Sequence, residues 1–423
     1  MTTLEAEATA APTLWRNRPY LLLMSGKTTQ LVGAGIGTFA VPLVAYSVTG
    51  SVAQAGLVAG VGEVGALLAT LPAGVVADRV DRRRLIVGAA LVGAALWASV
   101  AVALLAGHLT AVHLAAVLFG ASLVTALEGP AESGALRAVV GPEQLPTAMA
   151  AVQGRGAVAT VAAGPLGGLL YGFTHFLPLA ASAVAHVVVA VCGALVRVPL
   201  NDDVAQARET HPAAALLAGL RFVWSRPLFR AWLVIAPVIN LTVNGVLVAV
   251  NLDLVRHGTA PLLIALVDSV AGAAVLAGAL VASRVLRRVR AGALMIGALA
   301  WIAACCAGMA LLHTYAAFLV LVALAFAPLA PANAGMSGYV MAITPSRMQG
   351  RQSSVLALGY LLTAPLTPAV AGALLGAAGL RSTLGAFAGL LAVGVVAMAC
   401  VRSIHRIGTP DTWAADALPD VVA

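Results

Sequence analysis

The sequence predicts an all-α membrane protein of twelve transmembrane helices, arranged as two pseudo-symmetric six-helix bundles. Three observations lead there: too little polar surface for water, twelve apolar runs of spanning length, and a repeat that lays one half on the other. Of the 423 residues, 61% are hydrophobic and 9% charged, whereas a soluble globular chain carries about 25% charged residues. Lipid must therefore be most of the solvent. Aromatic residues are only 5%, and glycine alone numbers 43. Small residues let helix backbones approach closely, which is how helices pack where lipid removes the hydrophobic drive between them.

The net charge of +8 does not describe a nucleic-acid partner. The arginines sit in short clusters between apolar runs, Arg79 with Arg82, Arg83 and Arg84, and Arg284 with Arg287, Arg288 and Arg290. Lys27 is the only lysine. Arginine in place of lysine, with abundant Ala, Gly, Val and Pro, is the composition of a high-G+C bacterial genome. Cys192, Cys305, Cys306 and Cys400 lie inside apolar segments at no metal-ligand spacing, so they read as small buried hydrophobes. No metal or cofactor is expected. Residues 1–14 are polar and acidic and the first apolar run exceeds signal length, so no cleavable leader is expected.

A membrane span needs about 20 apolar residues. On that measure the first six spans cover 20–46, 53–76, 85–106, 112–139, 147–172 and 177–197. The second six cover 229–252, 261–283, 291–312, 316–343, 353–376 and 383–402. The domains follow: an N-terminal bundle over 1–197, a linker over 198–228, a C-terminal bundle over 229–406 and a tail over 407–423 expected to be disordered. Within the linker, His211 to Trp224 reads as a short surface helix, with Leu216, Leu217, Leu220 and Phe222 toward lipid.

Orientation follows the arginines, which mark cytoplasmic loops. One set of alternate loops holds Arg16 and Arg18, the 79–84 cluster, Arg197 to Arg230, the 284–290 cluster, Arg347 with Arg351, and Arg402 with Arg406. The opposite loops hold only Arg256 and Arg381. Both termini are therefore expected in the cytoplasm, with the chain in a bacterial inner membrane.

Sliding the chain by 205 residues lays Ala77–Arg83 on Ala282–Arg288 and Glu63 on Asp268. Two halves related by an axis along the membrane normal place a substrate site between them near the mid-membrane.

Gly74-Val75-Val76-Ala77-Asp78-Arg79-Val80-Asp81-Arg82-Arg83-Arg84, between spans 2 and 3, resembles the signature loop of the major facilitator superfamily. The resemblance implies the major facilitator fold and a cytoplasmic gate built from Gly74, Asp78, Arg79 and Arg82. Asp78 would sit at the N-terminus of span 11 near Ser353 and Ser354, where a carboxylate is favourable. Gly164-Pro165-Leu166-Gly167-Gly168 in span 5 resembles the helix-bending segment of exporter members, making Gly164, Pro165 and Gly168 the expected bend. Leu14-Trp15-Arg16-Asn17-Arg18, Pro142-Glu143-Gln144-Leu145-Pro146 and Leu220-Arg221-Phe222-Val223-Trp224 resemble the enterobactin-exporter-like branch of drug and siderophore exporters. Two positions depart from that branch. Gly33 is followed by Ala34 where an acid is common, and span 4 reads Pro130-Ala131-Glu132 where Pro-Ala-Arg is usual.

A charge at bilayer depth costs about 2.5–3.5 kcal/mol on insertion scales, so each needs a reason. Glu63 and Asp268, near mid-span at equivalent positions, either bind protons or cationic cargo in a central cavity or are neutral carboxyls bonded to a neighbouring helix. Glu128 and Glu132 are four apart, hence on one face of span 4. Glu128 is a candidate proton site. Glu132 is expected to pair with Arg82 as part of the gate, and Arg155 or Arg137 could neutralise either acid. Asn240 with Asn244, and Asn333 with Ser337, line the cavity or bond neighbouring helices. His186 reads as a core histidine, and Lys27 is expected to snorkel to the surface. Ser25-Gly26-Lys27-Thr28 spells the end of a phosphate-binding loop, but Leu21 stands where its first glycine belongs and no strand precedes it. Nucleotide hydrolysis is excluded, and the chain is not expected to be an enzyme.

The residues thus describe a secondary transporter driven by a gradient, with lipid, protons and a small molecule as partners, acting as a monomer. Efflux of a small amphipathic molecule is the leading reading. A nutrient importer or facilitator on the same fold, or a sensor without transport, stands beside it. The topology is directly testable: fusions at Asp203 and Ala423 should be silent with periplasmic alkaline phosphatase and active with a cytoplasmic reporter. Phosphatase activity at either position would reverse the orientation.

Overall fold

The computed structural model describes residues 14–201, 212–312 and 314–416. Among these it is helical throughout the spans, with no strand. The N-terminal bundle is α1 (Arg18–Thr49), α2 (Val52–Arg79), α3 (Arg82–Leu105), α4 (Ala111–Val139), α5 (Leu145–Phe173) and α6 (Leu177–Leu195). After α7 (Pro212–Ser225) in the linker come α8 (Pro227–Arg256), α9 (Pro261–Leu286), α10 (Ala291–Leu311), α11 (Tyr315–Phe326), α12 (Leu329–Ile343), α13 (Ser346–Thr363) and α14 (Leu366–Cys400). A final turn, α15, covers Arg402–His405.

Helix starts are written in the sequence. Asn17, Ser51, Thr110 and Thr314 each accept a hydrogen bond from a backbone N–H of the first turn they precede. The start of α3 is capped twice: Asp81 Oδ1 accepts from Arg84 N at 2.8 Å, and Asn201 Oδ1 accepts from Arg82 N at 2.9 Å. The bundle surface is apolar where lipid must lie, with Leu280 74% and Val393 65% exposed.

Twelve spans result, although their ends differ from the sequence reading at three places. The helical hydrogen bonding of span 10 is interrupted between α11 and α12 at Ala327 and Pro328, and that of span 11 between α13 and α14 at Ala364 and Pro365, although the backbone stays in the helical region. Proline removes a backbone donor and clashes with the preceding turn, so each interruption falls at one. Spans 11 and 12 meet with little loop: α14 runs through Gly379, whose φ of 73° and ψ of 173° are not helical. The apolar stretch Arg351–Cys400 is 50 residues long, about 75 Å as one straight helix. That is more than twice the ~30 Å hydrocarbon core, and only a residue without a side chain reverses the chain so abruptly.

Two linker and tail expectations change. Helix α7 forms, but Gly219 lies against the Arg351 carbonyl and Val355 on α13, Val223 is buried, and the Phe222 ring meets that of Phe229 at 5.6 Å, tilted by 36°. Leu217 and Leu220 stay exposed, while the Leu216 side chain and residues 202–211 lie outside the described residues. The tail, expected to be disordered from residue 407, is ordered through Asp416. Ile407 is fully buried, and Trp413 meets Tyr339 edge-on at 5.9 Å over Gly338. Tyr339 Oη donates to Asp416 Oδ2 at 3.2 Å.

The two bundles meet reciprocally. Helix α2, second in its half, packs on α14, the end of the fifth span of the other half; α5, fifth in its half, packs on α9, second in the other. A two-fold relation between the halves requires this exchange. Both contacts lie away from the termini and are made by glycines. A Cβ at Gly60 would stand 2.6 Å from the Pro365 carbonyl, one at Gly372 2.6 Å from the Val52 carbonyl, and one at Gly168 2.9 Å from the Pro261 carbonyl. Backbone meets backbone there, and that side is closed.

Gly60→Val should therefore cost about 1–3 kcal/mol of overpacking, whereas Gly88→Ala, with nothing within 4 Å of its Cβ, should cost nothing. Thermal unfolding of the two purified variants in detergent compares them. Equal melting temperatures would mean that the seal is not tightly packed.

Candidate functional site

Beneath the closed side the halves enclose a cavity of about 1000 Å³, large enough for a drug-sized molecule. It reaches toward the terminus side through Leu31, Ala66, Ala126 and Gly156. Its walls come mainly from α1, α2, α4, α5, α8, α9 and α13.

Glu63 on α2 and Asp268 on α9 both line this cavity. They are held differently. Asp268 Oδ1 accepts a hydrogen bond from Asn251 Nδ2 at 2.9 Å. Glu63 is exposed to the cavity and makes no hydrogen bond or ion pair among the described residues. Asn240 and Asn244 line the same wall, with Asn244 Nδ2 donating to the Asn240 carbonyl at 2.9 Å. Asn251 was not singled out in the sequence. Its spacing of seven from Asn244, two helical turns on the same face, is the signal that could have found it. His186 is buried in the core yet also borders the cavity, and its Nδ1 donates to the Ser182 carbonyl at 2.8 Å.

Two expected cavity residues are elsewhere. Asn333 is exposed on α12 and does not line the cavity; the Ser337 hydroxyl donates to its carbonyl at 2.7 Å. Glu128 is 2% exposed and faces into the N-terminal bundle. There it accepts from Gln30 Nε2 at 2.7 Å and lies 3.3 Å from Lys27 Nζ. Lys27 is equally 3.3 Å from Glu132, which also takes Arg155 Nη2. Lys27 therefore does not snorkel: two acids one turn apart on α4 hold it inside. Arg155, whose Nη1 also contacts Met24 Sδ at 3.2 Å, completes a cluster of two cations and two carboxylates.

The expected pairing of Glu132 with Arg82 is not formed. Arg82 Nη1 donates to the Leu200 carbonyl at 2.8 Å, and its guanidinium lies across Gly134, two residues beyond Glu132. The end of α6 and its loop capture Arg82 first. Arg79 is exposed; Gly74 and Asp78 are on α2, and their side chains lie outside the described residues. Helix α5 stays continuous through Pro165. Gly164 and Gly168 face α9 while Gly167 faces Phe39 on α1, so the segment packs two helices at once.

A closed-ended cavity between reciprocal six-helix bundles, with a carboxylate from each, is the architecture of a multi-pass membrane transporter. Residues 23–252, more than half of the chain, match the family model of the Major Facilitator Superfamily, and the chain belongs to that superfamily. No curated protein matches it. Solved structures share the fold. The nucleoside transporter NupG has a TM-score of 0.70 at 16% identity, with 92% of this chain and 99% of that one covered. A bacterial homologue of the iron transporter ferroportin, in an inward-facing state, gives the same figures. A bacterial homologue of the human lysosomal transporter Spinster, inward-facing and occupied, has a TM-score of 0.70 at 16% identity over 94% and 98%. At these identities the likeness is one of fold.

The ion cluster predicts an asymmetric response. Lys27→Met strands the buried Glu128 charge and should destabilise the protein by about 3 kcal/mol, whereas Lys27→Met with Glu128→Gln should recover most of the loss. Unfolding of both variants in detergent measures it. A single variant as stable as the parent would remove the cluster's structural role.

Proposed function

We propose that the protein is a proton-coupled exporter of small amphipathic molecules, working by alternating access in a bacterial inner membrane with both termini in the cytoplasm. One observation carries the reading: Glu63 and Asp268, on equivalent helices of the two halves, both line the large cavity between them. Each half thus brings a group able to take up and release a proton to the place where cargo would sit. Rocking of the halves would expose that place to either side in turn. Ala34, which stands where the resembled branch often carries an acid, lines the same cavity. The coupling role therefore passes to Glu63 and Asp268. A proton crossing 100 mV releases about 2.3 kcal/mol, and one pH unit adds about 1.36 kcal/mol.

In this reading Gly74, Asp78, Arg79 and Arg82 belong to the terminus-side gate, on the strength of the loop sequence. Glu132 leaves the gate for the ion cluster. Gly164, Pro165 and Gly168 form the contact on which α5 slides against α9. An importer on the same fold would use the same cavity with the opposite direction of net flux.

Everted vesicles decide between these. ATP-driven acidification of the lumen should drive accumulation of a substrate, identified first by resistance profiling of expressing cells. Glu63→Gln and Asp268→Asn should keep downhill exchange at saturating substrate and lose accumulation. Accumulation at the parental rate by both neutral variants would make the two acids structural. A chain that moves nothing in either direction would leave the sensor reading.

A further inference from the structure

We propose that the cargo is an organic cation with a hydrophobic body, and that Glu63 is the side chain that binds its charge. The proposal rests on the reading of the central cavity as the transport site and adds the chemical class that the cavity selects.

The charge inventory of the cavity is one-sided. Among the described residues its charged lining is Glu63 and Asp268, with neither arginine nor lysine. Three cations of the N-terminal bundle are committed elsewhere. Lys27 and Arg155 are held by Glu128 and Glu132 inside the N-terminal bundle, and Arg82 is held by the Leu200 carbonyl. An anion entering the cavity would therefore meet two carboxylates with no counter-charge, in surroundings that screen poorly. A cation would find the partner that the protein itself does not supply.

The two acids are not equivalent for this purpose. Asp268 has an internal partner, since Asn251 donates to it at 2.9 Å, and a cargo would have to compete with that bond. Glu63 has no such partner among the described residues and is open to the cavity. A carboxylate presented to a solvent-accessible cavity without a protein donor is the group free to take a ligand's charge. In the same cavity Tyr360 offers an exposed aromatic face, and the small residues of α2 and α5 leave room for bulk. Aromatic faces also attract cations. The remaining polar lining, Asn240 and Asn244, consists of neutral amides that tolerate either charge. What the cavity complements is one positive centre on an apolar frame, with size limited only by about 1000 Å³ of space.

The experiment compares two ions of almost the same shape and opposite charge, tetraphenylphosphonium and tetraphenylborate, by equilibrium dialysis against the full-length protein in a neutral detergent. Tetraphenylphosphonium should bind saturably and tetraphenylborate should not. Glu63→Gln should weaken tetraphenylphosphonium at least tenfold, equivalent to about 1.4 kcal/mol. Asp268→Asn should weaken it less, and the melting temperatures of both variants confirm that they are folded. Saturable tetraphenylborate binding as tight as that of the cation, no saturable binding of the cation, or cation binding indifferent to Glu63→Gln would each overturn the proposal. No gradient is present in this assay, so it separates the two readings. Cation binding without proton-driven accumulation in vesicles would sink the exporter and leave the cation site standing. Proton-driven accumulation of a neutral or anionic molecule would do the reverse.

Discussion

The close approach of backbones across the two halves is the contact on which the rest of the molecule depends. In lipid there is no hydrophobic drive to press helices together, so van der Waals contact must hold them, and that contact is best where side chains are absent. At Gly56 and Gly60 on α2 against Pro365, Pro368 and Gly372, and at Gly164 and Gly168 on α5 against Pro261 and Ala265, it reaches backbone on backbone. These two seams close one side of the protein. They also set the distance between the bundles below, and so the cavity that opens there. A glycine-rich composition, which in water would mean loose structure, here means a tight seal.

Charge is placed by the same logic. Each ionised group at bilayer depth must find compensation or a function. Lys27, Arg155, Glu128 and Glu132 compensate one another within a single bundle, joining α1, α4 and α5. Two positive and two negative groups leave no net charge, so the cluster can stay inside one rigid half whatever the halves do. The cavity is the opposite case, carrying two acids and, among the described residues, neither arginine nor lysine. The imbalance falls at the interface of the halves, where cargo and protons have access, and the balance falls away from it.

Much of this was legible in the sequence, and the exceptions have common physical causes. Spans, repeat and the equivalence of Glu63 with Asp268 follow from hydropathy and spacing, which are local or strictly periodic. The interruptions at Pro328 and Pro365 were visible as prolines, but whether a proline kinks a membrane helix or only interrupts its hydrogen bonding is decided by neighbouring helices. Lys27 was misread because snorkelling considers one helix and the membrane surface, while the acids that hold Lys27 lie a hundred residues further on. The same holds for Arg82, whose partner is the Leu200 carbonyl rather than the acid that the motif suggested. Ile407 and Trp413 looked like tail residues because nothing local marks a docking surface; Gly292 on α10 supplies it for Ile407, and Gly338 and Tyr339 on α12 for Trp413. Glu63 and Asp268 could be found as candidates from spacing, but only the structure distinguishes the tethered acid from the open one.

The seal and the two acids are parts of the same helices. Glu63 follows Gly60 by one turn of α2, about 4.5 Å along the axis, on the terminus side of the seam. Asp268 adjoins Ser269, which faces Gly164 across the other seam, a Cβ there lying 3.6 Å from the Ser269 hydroxyl. Any motion that parts α2 from α14, or α5 from α9, must change what surrounds the nearby carboxylate. The reverse also holds by linkage, because a ligand or proton that favours one surrounding of the carboxylate favours the matching state of the seam. A long pathway between a binding site and a distant gate is unnecessary: the distance is a single turn on α2 and a single residue on α9, and the two-fold relation of the halves gives the device twice.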